Sequence, residues 1–168
     1  MDKRARYAKP EYERRFLLER LPDGAFRPVR ISDRYLQDTR MRLRRVETLD
    51  GDLVELKLGH KWRPDSEDPR VIMHTSIYLD ESEFELLSRL PGRDLVKTRY
   101  RFEGQPNWAV DQHHSPRQDL IILEMNFSDA NEANAFGPPP WVAGEVTDDE
   151  DYTGAGLTRS QSDPSSPL

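Results

Sequence analysis

Long charged side chains alternate with apolar ones, residue by residue, in one segment of this chain after another. From Glu11 to Leu18, Glu11, Glu13 and Arg15 interleave with Tyr12, Arg14, Phe16 and Leu18. From Arg40 to Val46, Arg40, Arg42 and Arg44 interleave with Met41 and Leu43, and in Leu53–Leu58 the pair Glu55/Lys57 interleaves with Val54, Leu56 and Leu58. The pattern returns in Leu95–Phe102, where Lys97, Arg99 and Arg101 alternate with Val96, Tyr100 and Phe102. Trp108–Asp111 and Ile121–Phe127 repeat it, and Arg70–Leu79 carries a blurred version. A period of two puts i and i+2 on one face of a strand and on different faces of a helix, so these segments predict β-strands with one apolar face each. A charged fraction of 33% against a hydrophobic fraction of 35% points the same way, because such a chain lacks the apolar residues to bury both faces of its sheets.

Two segments break the period. Asp80-Glu-Ser-Glu-Phe-Glu-Leu-Leu-Ser-Arg-Leu90 predicts a helix capped by Asp80, with acids in the first turn and Phe84, Leu87 and Leu90 as its apolar stripe. Pro91-Gly92 stops it. Ser128–Phe136 predicts a short helix capped by Ser128 or Asp129 and ended by Gly137-Pro138-Pro139-Pro140. The fold class is therefore mainly β (α+β), with a few short helices. The 168 residues suit one domain over 1–154, and the Ser/Pro-rich stretch 155–168 is expected to be disordered.

With no cysteine, disulfides and thiolate metal sites are excluded. The charged start, Met1 to Arg15, has no signal-peptide core, and no run is long and apolar enough to span a membrane, so a cytoplasmic protein without membrane partners is expected. A net charge of −6 argues against a nucleic-acid duplex as partner, and arginines gathered at 40–45 and 89–101 suggest a local anion site. Monomer and homodimer are both open.

The charged faces gather cations (Arg15, Arg42, Arg44, Lys57, Lys97, Arg99) and carboxylates (Glu11, Glu13, Glu55, Asp111, Glu124). An antiparallel sheet with one face in water shows the same alternation. Closed into a barrel with charge inward, the same strands would need a multiply charged guest, since unpaired buried ions cost several kcal/mol each. Arginine matches phosphate oxygens bidentately, and the Glu11-x-Glu13 pair on one strand can share a hard cation such as Mg²⁺ or Mn²⁺.

Seven pieces in order carry a further resemblance: Glu11-Tyr12-Glu13-Arg14-Arg15-Phe16-Leu17, Arg42-x-Arg44, Lys57 in Leu-Val-Glu-Leu-Lys-Leu-Gly, Lys97-Thr98-Arg99-Tyr100, Trp108-Ala109-Val110-Asp111, Leu120–Phe127 and Trp141–Asp149. Together they resemble the CYTH, or triphosphate tunnel metalloenzyme, family. That resemblance implies an eight-stranded antiparallel closed barrel around a charged tunnel, and metal-dependent chemistry on a triphosphate. It implies Glu11, Glu13, Asp111, Glu124 and Asn126 as metal residues, and Arg15, Arg42, Arg44, Lys57, Lys97 and Arg99 as substrate-binding residues. Lys57 and Asp111 are the candidate catalytic groups. Three positions depart from the family pattern: Arg15 replaces a lysine, Asn126 a glutamate, and Met73-His74-Thr75 stands where many relatives carry acids.

The leading expectation is hydrolysis of inorganic triphosphate or of an organic triphosphate, such as thiamine triphosphate or a nucleotide. The alternatives are an adenylate cyclase of class IV type and a non-catalytic triphosphate- or polyphosphate-binding module. His113-His114 is expected in a loop or at the surface, His74 as a satisfied sheet histidine, Trp62 in a loop as a packing residue, and Trp108 and Trp141 in the core.

Overall fold

A computed structural model describes residues 3–64, 68 and 70–159. The alternating segments form strands β1 (Lys9–Leu18), β2 (Ala25–Leu36), β3 (Met41–Thr48), β4 (Leu53–Trp62) and β5 (Val71–Tyr78). Further along come β6 (Gly92–Phe102), β7 (Gln105–Ser115), β8 (Ile121–Phe127) and the two-residue β9 (Gly144–Glu145). The order is β5-β4-β3-β2-β6-β7-β8-β1, and β1 pairs back onto β5, so eight antiparallel strands close a barrel. Closure leaves β5 and β1 without a free edge along Lys9–Tyr12. Further along, the edge of β1 is taken by β9, with Phe16 opposite Glu145.

β2 is a strand that the alternation of charge does not announce. Its segment Phe26-Arg27-Pro28-Val29 interrupts the period with a bulge, and Arg27 sits in the left-handed region at φ 46°. From Ile31 onward the period of two is regular, with buried Ile31 and Asp33 alternating with Arg30, Ser32 and Arg34.

Because the charged faces turn inward, much of the apolar packing lies on the outside of the barrel wall. Phe16 and Leu18 of β1, Val110 of β7 and Ile121, Leu123 and Met125 of β8 form one buried cluster. Trp108, Phe127, Phe136 and Val142 pack against it. Helix α2 (Ala130–Ala135), capped by Asp129, belongs to this covering layer. Arg14 anchors the layer, its guanidinium donating to both oxygens of Glu145 (2.8 and 2.6 Å) and to the carbonyls of Ala133 and Phe136. Trp141, expected in the core, is 44% exposed, because it stacks on the outside of Phe102 and Trp108.

Helix α1 (Glu81–Ser88) has the Asp80 cap, completed by a reciprocal hydrogen bond from the Asp80 amide to Glu83. Its stripe is shallow: Phe84 and Leu87 are half-buried and Leu90 is exposed. The expected disordered tail gives way at its start to helix α3 (Gly154–Arg159), which follows a 3₁₀ turn at Glu150–Tyr152. Leu157 is the reason, for it is buried in a second cluster with Leu95, Leu120 and Ile122, against Leu17, Tyr35 and Tyr152. A Cβ at Gly154 would collide with the Tyr35 hydroxyl, so this close approach requires glycine. Residues 160–168 of the expected tail lie outside the described residues.

Candidate active site

The inward positions of the strands enclose a cavity of about 820 Å³. All six residues expected to grip substrate line it: Arg15 from β1, Arg42 and Arg44 from β3, Lys57 from β4, and Lys97 and Arg99 from β6. Glu11 and Glu13 of β1 and Glu124 and Asn126 of β8 line it as well. The barrel thus brings together residues more than a hundred positions apart, with Arg15 opposite Glu124 and Glu13 opposite Asn126 in register.

Most of these charges are already partnered. Lys97 donates to Asp111, and Arg99 donates to both Asp111 oxygens at 2.6 Å and also to Glu124. Asp111 itself is wholly buried behind these two cations and does not line the cavity. Burial opposes its charge, yet Arg99 and Lys97 hold its carboxyl below the ordinary range. Lys97, by contrast, is pulled below its ordinary value by burial, against the attraction of Asp111. Lys57 donates to Glu55 at 2.6 Å. On β1, Arg15 donates to the Thr147 carbonyl at 2.8 Å and stands 3.6 Å from Glu13.

Glu13 differs in the direction of its shift. Burial and the neighbouring charge of Glu124 push its carboxyl above the usual value. Its neighbour Glu124 is opposed by burial but held well below the usual carboxylate range by Arg99 and Lys97, so the two carboxylates differ in how far they are neutralised. Among the described residues, no three His, Asp or Glu side chains converge as a ready-made metal centre.

The sequence did not point to Asp33, Tyr35 or Lys61. Asp33 is fully buried and receives Arg44 through Nε and Nη2, both at 2.7 Å, with Arg42 Nε at 3.5 Å. Burial opposes its charge, but Arg42 and Arg44 hold it far below the usual carboxylate range. Its signal was hidden because the inward row of β2 reads Ile31, Asp33, Tyr35, a mixture without charge repetition. Lys61 lines the cavity and donates to Glu11 at 2.7 Å.

Of the histidines, His113 differs from expectation, being buried within a strand, while His114 is exposed. His113 and His114 lie within β7, because pairing with β6 and β8 continues past Asp111. They do take opposite faces: His113 is buried and lines the cavity, while His114 meets the Thr98 hydroxyl at 2.8 Å. His74 is both a satisfied sheet residue and a cavity residue, with Nδ1 2.7 Å from Glu11 and Nε2 2.8 Å from Ser76. Glu11 is opposed by burial but stabilised by His74 and Lys61, which bring its carboxyl to about 2. Trp62 is the last residue of β4 and is buried, because the strand runs on to pair Trp62 with Met73.

The chain is 30% identical over 158 residues to an inorganic triphosphatase from Nitrosomonas europaea, a match covering 89% of this chain and 97% of that protein. It belongs to the CYTH, or triphosphate tunnel metalloenzyme, family. A crystal structure of an inorganic triphosphatase superposes on this CYTH chain with a TM-score of 0.57 at 30% identity, over 89% of this chain and 95% of that one. A protein from Pyrococcus horikoshii shares the CYTH fold at 20% identity with a TM-score of 0.51, over 74% of this chain and 82% of its own. No protein-family model matches the sequence. Among the described residues, no helix of this CYTH protein is long and apolar enough to cross a membrane.

Proposed function

We propose that the tunnel binds a triphosphate together with Mg²⁺ or Mn²⁺ and hydrolyses it, with inorganic triphosphate as the first substrate to consider. The observation that carries this reading is the convergence of Arg15, Arg42, Arg44, Lys57, Lys97 and Arg99 on one cavity inside the barrel. Such a concentration of cations in a confined space calls for a polyanion. The likeness to an inorganic triphosphatase over nearly the whole chain supports the choice of polyanion.

The roles follow from position. Arg42 and the two lysines, Lys57 and Lys97, neutralise phosphate charge as the phosphoryl group transfers, which is electrostatic catalysis by preorganised donors. Asp111 and Asp33 have no access to substrate and act as positioning residues, fixing Lys97, Arg99 and Arg44. Glu13 and Glu124, with Glu11 beside them, would hold the divalent cation, and Asn126 at the rim offers a carbonyl oxygen. A bound cation supplies charge neutralisation on the phosphates and polarisation of an attacking water.

Phosphate release from inorganic triphosphate, ATP and thiamine triphosphate, each with Mg²⁺, Mn²⁺ or EDTA, tests the reading. Metal-dependent release is expected, highest on inorganic triphosphate and lost with EDTA. Glu13→Gln should lower kcat by at least about a hundredfold, the scale of losing a main electrostatic group, with the melting temperature retained. Unchanged turnover in that variant would remove Glu13 from the metal site. No release from any of the three by the wild-type protein would sink the hydrolase reading.

A further inference from the structure

The seam that closes the barrel is shorter than β5. β1 pairs with β5 from Tyr12 opposite Val71 to Lys9 opposite His74, and the chain before Lys9 bends away into a 3₁₀ turn at Lys3–Arg6. Thr75 to Tyr78 therefore has β4 on one side and, among the described residues, no strand on the other. The hydrogen bonds fix which groups are left over. Glu13 N–H donates to the Arg70 carbonyl across the seam, and Leu79 N–H donates to the Leu56 carbonyl on the β4 side. Successive residues of an antiparallel strand turn their backbone groups to opposite edges, so the even-numbered residues of β5 point towards the seam. The N–H and C=O groups of Ser76 and Tyr78 thus face the open edge, with no partner among the described residues.

Such an edge is a template for another strand, and chains that avoid pairing protect it with charge, proline or a bulge. Thr75-Ser76-Ile77-Tyr78 has none of these. Because Lys57, Gly59 and Lys61 line the cavity, Leu58 and its register partner Ile77 face the outside, where Ile77 is 53% exposed.

The strand that fits this edge is β5 of a second copy. Two such edges, antiparallel about a two-fold axis at Ile77, put Ser76 of each copy opposite Tyr78 of the other. Each of these pairs exchanges both backbone hydrogen bonds, and the two Ile77 side chains meet in the close, non-hydrogen-bonded position. The length fits as well. Beyond Tyr78 the strand would collide with β1 of the other copy at Lys9, and there it leaves the sheet, through Asp80 into α1. The charges match too: Asp80, Glu81 and Glu83 at this end would meet Lys9 of the other copy, with Lys3 and Arg6 in the turn before it. We propose that the protein forms a two-fold homodimer through the open edge of β5, continuing the sheet of one barrel into the next.

Sedimentation of the full chain over a range of concentration tests it, comparing wild type with Ile77→Lys, and cysteine cross-linking locates the contact. Wild type should show the mass of two chains. Ile77→Lys, which sets like charges opposite one another at an exposed position, should raise the dimer dissociation constant about tenfold or more with the melting temperature unchanged. In this cysteine-free chain Ile77→Cys would bring two thiols together across the axis, with Cα atoms ~4.5 Å apart and so inside the disulfide range. Mild oxidation should then join the two chains, and should leave Leu86→Cys on α1, itself 65% exposed, as single chains. A wild-type protein that stays a single chain throughout overturns the proposal. A dimer that Ile77→Lys does not weaken overturns it too, as does cross-linking no greater at Ile77→Cys than at Leu86→Cys. Should Ile77→Lys melt lower, the cross-linking comparison decides.

Discussion

At the residue scale, the tunnel is a set of exchangeable partnerships. Asp33 shows the arrangement most clearly, since it occupies the Nε–Nη2 edge of Arg44 that a phosphate could otherwise take. Replacing it by asparagine leaves Arg44 buried beside a neutral amide, and stability near neutral pH should fall by about 3 kcal/mol, as for other broken buried pairs. The pH dependence has a definite sign. The folded-state pKa of Asp33 is depressed, so its contribution is complete above its unfolded value near ~3.9 and is lost as pH falls through the lower folded value. Urea midpoints measured across the acid range should therefore show wild type and Asp33→Asn far apart at pH 7 and converging below about pH 4. A constant gap would mean that the carboxylate's charge is not what stabilises. The motif residues of this site were legible because repetition exposed them: Arg42 and Arg44, or Lys97 and Arg99, recur at the strand period. Asp33 was not, for a single polar residue in a strand carries no sign of which cation another strand will bring to it, whereas His74 was expected as a satisfied sheet histidine and is one.

At the element scale, segments with little secondary structure of their own keep their place through a few tertiary contacts. Helix α3 has six residues, too short to be stable by itself, and holds its place through Leu157 and the Gly154–Tyr35 contact. Leu157→Ala should cost about 3 kcal/mol, the usual scale for removing a fully buried leucine. Chemical denaturation measures that cost directly. If α3 merely rested on the surface, the loss would stay below about 0.5 kcal/mol. The same segment shows why composition misled: Ser, Pro and Gly after residue 153 read as a solvated tail, yet one leucine among them meets an apolar gap left by β6 and β8. β2 was missed for the reverse reason, since its bulge at Phe26–Val29 breaks the period just where the strand begins. The helices at 81–88 and 130–135 were readable because caps and breakers are local signals.

At the scale of the whole molecule, the fold gathers cations from four strands on one cavity, so binding of a polyanion there and folding are linked. Anything that binds the native tunnel and not the unfolded chain stabilises it by mass action. With Mg²⁺ present, inorganic triphosphate at a hundred times its Kd should add about 2.7 kcal/mol. Thermal unfolding should show a clear upward shift for triphosphate, with a much smaller one for inorganic phosphate at equal concentration. Equal shifts for the two anions would show that the tunnel responds to negative charge without reading chain length.

The sequence by itself determined that the chain is built from strands with one charged and one apolar face, because a period of two follows from the geometry of each strand alone. It also determined most of the cations that meet in the tunnel, through motifs that recur on separate strands. Only the tertiary structure decided that the charged faces turn inward and that the apolar packing lies outside the wall. Alternation is identical for an open sheet and a closed barrel, and the difference rests on the pairing of β1 with β5. The partners of Asp33, Glu11 and His74 were likewise settled by register between strands, a relation no local pattern encodes.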